Sequence, residues 1–167
     1  MQKVPSEAAI NQFMANAYFT DCFTYHTLNK GQSAMQVWLD MVNNTPRWVE
    51  RLMWVRNRVV VLFGLKNLGL IGNVIPAKQA CDYLVGDQVG IFKVLSSQEQ
   101  EVILEDKDKH LDVKLSLFLE TEGDLLKLYV TTVVHVKNRL GKVYMFFVAP
   151  VHKKIVPASL SRLEPVN

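Results

Sequence analysis

The carboxylate of Asp21 has the setting that most favours chemistry in this sequence. It lies between Phe19 and Phe23 in the segment 18–25, whose composition predicts a strand. Alternate residues of a strand share a face, so an inward orientation would bury this acid among aromatic rings. An unpaired charge there is costly, and we expect a partner such as Arg56, a tyrosine hydroxyl or a ligand. Asp21 is therefore a candidate polar anchor or general acid–base, unless the backbone or Arg56 simply satisfies it.

A second polar cluster is the run EDKDKHLD at residues 105–112. Asp106, Asp108, His110 and Asp112 alternate, and on a strand they would lie on one side, as the ligands of a metal could. Lysines interleave with them, the run crosses a predicted turn, and the glycine and distal Glu of a calcium loop are missing. We interpret the run as a solvated hairpin tip, and we predict no metal site.

His135 is the other candidate for catalysis, and it lies near the end of a predicted strand. By alternation it falls on the wetter side, beside Lys137, which favours a structural or surface role. The chain has no GxSxG motif, and Cys22 and Cys81 have no metal-ligand spacing. Two free thiols fit a reducing compartment.

Basic residues collect on one predicted helix. Arg47, Arg51 and Arg58 lie near one face of it and could contact phosphate, an anionic lipid or an acidic partner, although Glu50 dilutes the charge and favours a solvated face. A net charge of +3 over 167 residues does not indicate nucleic-acid binding. The N-terminus lacks an apolar leader, and the longest clean apolar run, residues 143–151, is too short to span a membrane. These features predict a cytoplasmic protein.

The elements that would position these residues follow a simple order, and the length fits one domain over residues 1–167. We predict an N-terminal helical arm at 1–16, a strand at 18–25, helices at 33–43 and from 46 to 63, a long loop at 65–87, strands at 88–95, 101–106, 110–120 and 125–137, and a last helix at 140–163. The last two strands alternate between an apolar and a polar side, which predicts helices over one face of an antiparallel sheet. Pro150 predicts a bend or break in the last helix near 146–150.

The chain also resembles a known family. The residues that carry the resemblance are AYFTD at 17–21, PRW at 46–48, VRN at 55–57, FGLK at 63–66, EDKDKHLD at 105–112, TTVV at 131–134, the stretch 135–144 with Asn138 and Gly141, and PVH at 150–152. They are similar to a bacterial family of unknown function in or near the START and birch-pollen-allergen (SRPBCC) superfamily. Members of that family sometimes follow an NAD(P)-binding epimerase-like domain, but no cofactor is inferred for this chain.

The resemblance implies an α+β helix-grip fold, in which the final helix lies across a curved sheet and leaves a cavity. The leading hypothesis is that this cavity binds a small hydrophobic or amphipathic molecule. The predicted ligand-binding residues are the polar pair Asp21 and Arg56 and the walls Leu115, Leu117, Val130, Thr132, Tyr144, Phe147 and Val151. The loop 65–87 could gate entry.

Two alternatives stay open. One is an enzyme of the polyketide cyclase or isomerase type, or a hydrolase, that uses Asp21 as acid or base on an apolar substrate. The other is a non-enzymatic accessory module whose apolar segment 68–75 docks a partner, with a homodimer as one form.

Overall fold

The computed structural model describes residues 2–62 and 78–163, with the backbone alone for 59–62. Its elements are a 3-10 turn at Ala9–Phe13, β1 (Phe19–Leu28), α1 (Ala34–Asn43), α2 (Arg47–Leu62), a 3-10 turn at Ala80–Asp82, β2 (Gln88–Val89), β3 (Phe92–Ser97), β4 (Glu101–Lys107), β5 (Leu111–Glu122), β6 (Leu125–Val136) and α3 (Arg139–Leu160). The strands form one antiparallel sheet in the order β1-β6-β5-β4-β3-β2. Two helices follow β1, and α3 crosses the sheet after the meander, which confirms the predicted α+β helix-grip architecture.

Strand register follows from alternation and from tight turns. Gly123, at a φ of +63°, supplies the left-handed residue in the short connection between β5 and β6. The register then places Asp21 opposite Thr132 and Thr132 opposite Leu115, in one row across three strands. We call the face that carries this row, covered by α1 and α3, the inner face, and the opposite one the outer face.

The inner face holds two apolar clusters. The larger joins α1, the strands β4 to β6 and the end of α3, with Trp38, Leu117, Val130 and Leu160 all buried. The smaller joins the start of α3 to the strand ends and includes Val134 and Met145. Burial of these side chains supplies most of the driving force for docking the helices on the sheet.

The outer face is covered by the N-terminal segment. Ile10 packs against Ile103 and Val133, and all three are buried. The predicted helical arm is a single 3-10 turn, and its N-cap residue makes no side-chain hydrogen bond. His135 Nε2 lies 3.1 Å from the Ala15 carbonyl oxygen, so this side chain ties the segment to the sheet.

Two elements differ in kind from the sequence prediction. The predicted strand 88–95 is two strands, Gln88–Val89 and Phe92–Ser97, which pair across a tight turn. The helix α3 runs unbroken over Arg139–Leu160 with Pro150 and Pro157 inside it, so a break was the wrong expectation. Both prolines lie on the exposed side, where water can hydrogen-bond the carbonyl oxygens that they leave without a donor.

The hairpin predicted from EDKDKHLD is confirmed, and it contacts the start of α3. Asp108 accepts the backbone N–H groups of His110 and Leu111, at 2.6 and 2.8 Å. Asn138 caps α3 by accepting the Gly141 N–H and donates its amide to His110 Nδ1. A Cβ at Gly141 would lie 2.7 Å from the His110 carbonyl oxygen, so the helix start requires a glycine.

None of the helices within residues 2–62 and 78–163 has the length and apolar character to cross a bilayer.

Candidate functional site

A buried acid lies on the inner face, on the edge strand β1 and beneath α3. The side chain of Asp21 is 1% exposed, and neither carboxylate oxygen has a hydrogen-bond donor within the described ranges. The strand β1 places it there because Asp21 shares the inward parity of Phe19 and Phe23. A buried carboxylate without donors is energetically costly and rare, and such groups mark functional sites or water sites.

The side chain that approaches Asp21 is His152 of α3. Its Nε2 lies 3.3 Å from Asp21 Oδ2, within ion-pair range, and 3.0 Å from Thr132 Oγ1. A ring nitrogen carries at most one hydrogen, and only the contact with Thr132 has the geometry of a hydrogen bond. The contact with Asp21 is therefore electrostatic, and the acid keeps unused acceptor capacity.

This polar group of Asp21, Thr132 and His152 separates the two apolar clusters of the inner face. None of the three belongs to either cluster, and the His152 ring packs edge-on against Phe19 at 6.0 Å. His152 is 20% exposed, so it links the buried acid to the surface. An imidazole backed by a carboxylate can anchor a polar ligand group or pass a proton.

An open groove of about 500 Å³ runs beside this group, between the start of β1 and α3. Its lining residues are Tyr18, Phe19, Met145, Phe146, Ala149, Pro150 and Lys153. Phe19 is shared, since it lines the groove on one side and touches the His152 ring on the other. The lining is mainly apolar, with the ammonium group of Lys153 as its cation.

On the outer face, Cys22 is buried below the N-terminal segment. Burial raises the pKa of the Cys22 thiol, and the nearby charge of Asp21 raises it further. This cysteine is therefore a weakly nucleophilic, protonated thiol.

The predicted wall residues on the strands all face inward, but not toward an open space. Leu115, Leu117 and Val130 are buried in the larger apolar cluster, where Trp38 of α1 packs with them. Thr132 is buried and contacts His152. The helix α1 covers the part of the sheet where we expected a cavity.

Of the predicted wall residues on α3, Phe147 and Val151 face away from the sheet, and Tyr144 is half-buried against the smaller apolar cluster. Phe147 is 66% exposed and Val151 is exposed, while Tyr144 accepts a hydrogen bond from Arg56 Nε at 3.1 Å. The stripe that docks on the sheet instead contains Gly141, Met145, Val156 and Leu160. Each predicted wall residue on α3 lies next to the helix face that docks on the sheet. The prediction chose the wrong face because apolar side chains occur around most of α3.

The expected pairing of Asp21 with Arg56 was also wrong. Arg56 donates to Tyr144 and to Asn57, while the recorded partner of Asp21 is His152. His135 lies on the outer face, opposite Asp112 and away from Asp21. Within residues 2–62 and 78–163, no group of three or more His, Cys, Asp or Glu side chains could hold a metal ion. The predicted docking segment 68–75 and most of the predicted gating loop 65–87 lie outside the described residues.

Sequence reasoning missed His152, Lys153 and Tyr18. The signal for His152 was present in the spacing of Met145, His152 and Val156, which repeats at seven and four residues and marks one helix face. Had that stripe been taken as the docked one, His152 would have been predicted to point at the sheet.

Comparison with known proteins identifies the family. The family model for a protein of unknown function (DUF2867) matches residues 13–159. The chain belongs to this family. No curated protein matches it. The predicted membership of a family of unknown function is confirmed, whereas the bacterial origin and the fusion to NAD(P)-binding domains stay predictions.

Similar solved structures of this DUF2867 chain include two X-ray structures of norcoclaurine synthase from Thalictrum flavum. The first, in complex with dopamine and hydroxybenzaldehyde, is 12% identical, with a TM-score of 0.31 over 97% of this chain and 95% of that chain. The second is 13% identical, with a TM-score of 0.31 over 97% and 94%.

Proposed function

We propose that this protein binds a small amphipathic molecule with an acidic head group in the groove between β1 and α3. The observation that carries the proposal is the lining of that groove, in which Phe19, Phe146 and Pro150 surround a single cation, Lys153. A volume of about 500 Å³ falls in the range of small-molecule sites, about 300–1,000 Å³.

The groove lining consists of apolar side chains and one lysine, and this combination supports an amphipathic ligand. An alkyl or aryl body would bury the exposed ring of Phe146, which is 74% exposed without a ligand. A carboxylate on the ligand would meet Lys153, which forms no ion pair with any acid in the described ranges. The Asp21–His152 pair lies behind Phe19 and would disfavour a second acidic group at that end.

Calorimetry with three probes tests the proposal. The probes are decanoate, decanol and decylamine, which have the same ten-carbon chain, and each is kept below its micelle concentration. We expect decanoate to bind best and decylamine worst. Phe146→Ala should weaken all three probes, by about tenfold, because a wall ring worth about 1–2 kcal/mol of burial is removed. Lys153→Gln should weaken decanoate alone, by about threefold to fivefold.

Two neighbouring residues provide matched controls. Phe147 and Lys154 are exposed on α3 next to Phe146 and Lys153 but do not line the groove. Lys154→Gln should therefore leave all three affinities unchanged, and Phe147→Ala, which removes only the edge-to-face contact with Phe146, should weaken binding less than Phe146→Ala does. The proposal fails if the controls weaken binding as much as the groove variants do, or if decylamine binds as tightly as decanoate.

A second candidate function is proton transfer on a substrate that reaches the exposed edge of His152, beside the groove. The observation that favours it is the free acceptor capacity of Asp21 beside a partly exposed imidazole. A carboxylate behind an imidazole stabilises the imidazolium that forms when the ring takes a proton, as a general base does. In this arrangement His152 transfers the proton and Asp21 supports it.

Solvent exchange of a carbon-bound hydrogen tests the second candidate. Acetophenone in D2O should exchange its methyl hydrogens faster with the protein than without it, as followed by NMR. His152→Gln should remove the acceleration, and Asp21→Asn should reduce it, while decanoate affinity stays within about twofold of the parent value. Equal exchange rates for the parent protein and His152→Gln would exclude this role.

A further inference from the structure

The exposed side of α2 has a pattern that ligand binding in the groove does not use. Trp48, Leu52 and Val55 repeat at four and three residues, so they form one stripe, and all three are exposed. Beside it runs a second exposed stripe with Arg51, Trp54 and Arg58. The Arg58 guanidinium lies 4.2 Å from the centre of the Trp54 ring, in cation–π contact. This helix is amphipathic and basic on its solvent side.

The exposed side of α3 repeats the combination. Phe146 and Phe147 are both exposed and pack edge to face at 5.3 Å, with exposed Val143 and Val151 one turn away on either side. The exposed basic residues of this helix are Arg139, Lys142, Lys153 and Lys154. Aromatic rings of this size are rarely left in water without a partner surface.

One side-chain pair joins the two helices, so the two stripes lie on neighbouring parts of the surface. Arg56 of α2 donates to the Tyr144 hydroxyl of α3 at 3.1 Å, and its guanidinium lies 5.5 Å from the centre of that ring. Leu52 is one turn before Arg56 and Phe147 is one turn after Tyr144, so both flank this junction. We call the exposed side chains of α2 and α3 the helical surface.

Charge is distributed unevenly between the helical surface and the rest of the chain. Of the 19 Lys and Arg residues, eight lie on α2 and α3, where Glu50 is the one acidic residue. The remaining 11 basic residues are outnumbered by 15 acidic ones. A small net charge for the whole chain therefore conceals a strongly cationic face.

We propose that the helical surface docks on an anionic lipid bilayer. A bilayer has a layer of phosphate and carboxylate groups directly above an apolar layer. The head groups can pair with guanidinium and ammonium groups while the aromatic rings of the protein enter the apolar layer. A soluble acidic partner would satisfy the charges but leave Trp54, Phe146 and Phe147 in a polar environment. The inference does not depend on the groove, because Trp54 and Phe147 do not line it.

Vesicle co-sedimentation tests the proposal with phosphatidylcholine vesicles that contain or lack phosphatidylserine. The protein should bind the anionic vesicles, bind the neutral ones at least about tenfold more weakly, and lose affinity as salt rises. The double variant Arg51→Glu/Arg58→Glu should weaken binding by at least about tenfold. Trp54→Ser/Phe147→Ser should do the same and also remove the binding that survives at high salt.

Matched variants on other surfaces control for net charge and for exposed apolar area. Lys3→Glu/Lys93→Glu changes the net charge by the same amount at exposed sites in the N-terminal segment and on β3. Leu84→Ser/Val85→Ser removes two exposed apolar side chains that precede β2. Both control proteins should bind anionic vesicles within about twofold of the parent protein. Circular dichroism establishes that each variant is folded.

Three outcomes would overturn the proposal. One is no preference for anionic vesicles over neutral ones. Another is equal loss of binding in the control variants. The third is vesicle binding that charge reversal abolishes but Trp54→Ser/Phe147→Ser leaves unchanged, which would show adsorption to anionic groups without burial of the aromatic rings.

Discussion

Two buried acids lie on opposite faces of the same sheet, and their surroundings differ. On the outer face, Glu101 accepts the backbone N–H groups of Ala9 and Ile10, at 2.6 and 3.2 Å, and the Ser116 hydroxyl at 2.6 Å. On the inner face, Asp21 is more deeply buried and has no hydrogen-bond donor among the described residues. Both carboxylates cost free energy to desolvate, but the donors around Glu101 offset that cost.

The difference separates an architectural acid from a candidate functional one. Glu101 joins the N-terminal 3-10 turn to the sheet, and its carboxylate accepts hydrogen bonds from three donors. Asp21 keeps its acceptor capacity beside His152, which is 20% exposed. A fold can retain such a destabilising group when a ligand or a reaction uses it, because stability and function compete at such sites.

The largest loss of stability should come from removing the charge of Glu101, the acid that has hydrogen-bond donors. Glu101→Gln removes the charge that three donors share, and each hydrogen bond to a charged group is worth about 1.5–3 kcal/mol. We expect the free energy of unfolding to fall by about 2 kcal/mol in urea denaturation. Hydrogen exchange at the amides of Ala9 and Ile10 should accelerate with it. A loss below about 0.5 kcal/mol would show that the arm does not depend on this acid.

Acidification should reveal a second stabilising acid on the outer face. Burial alone would raise the pKa of Asp112, but the hydrogen bond from Lys114 and the nearby lysine charges outweigh burial and lower that pKa. The carboxylate therefore contributes stability above about pH 4, and this contribution is lost as the pH falls through the folded-state value. The parent protein should lose more stability between about pH 5 and pH 3 than Asp112→Asn does, as measured by thermal unfolding.

Thiol labelling should report the outer face without denaturant. Cys81 is exposed and Cys22 is buried, and burial raises the pKa of the Cys22 thiol. Iodoacetamide should therefore modify Cys81 first, and mass spectrometry should show Cys22 unmodified while the protein is folded. Glu101→Gln should speed the labelling of Cys22 by at least about tenfold, since the segment above it is released. Unchanged Cys22 labelling in that variant would mean that the segment stays in place.

The smallest effect on stability should come from the unsatisfied acid. Asp21→Asn keeps the shape and removes a charge that no donor stabilises, so the free energy of unfolding should rise or stay within about 1 kcal/mol of the parent value. Urea denaturation in parallel with Glu101→Gln gives the direct comparison. A loss of more than about 2 kcal/mol would indicate that the contact with His152 is structural, and the distinction between the two acids would disappear.

Local sequence patterns predicted much of the fold and part of the candidate site. Alternation in β5 and β6 predicted which strand residues face inward, and the order of elements predicted a helix-grip fold. The inward parity of Asp21 followed from its position between Phe19 and Phe23. These predictions succeed because a strand has a strict period of two, and a polar residue among apolar neighbours is visible in the sequence itself.

Other features depended on contacts between distant segments. The rotation of α3 was mispredicted because apolar residues surround that helix, and the surface that faces the sheet depends on close packing at Gly141 and Met145. Trp38 fills the part of the inner face where a cavity was expected, and His152 takes the place expected for Arg56.

The sequence by itself determined most of the strands and helices and the shared face of Phe19, Asp21 and Phe23, since periodicity and side-chain polarity act locally. Tertiary structure alone decided that His152 approaches this acid, that Glu101 is satisfied, and that Arg56 of α2 contacts Tyr144 of α3. The physical reason is that a hydrogen bond or an ion pair requires two groups to meet within about 3 Å. Which groups meet is decided by the packing of segments that lie far apart in the chain.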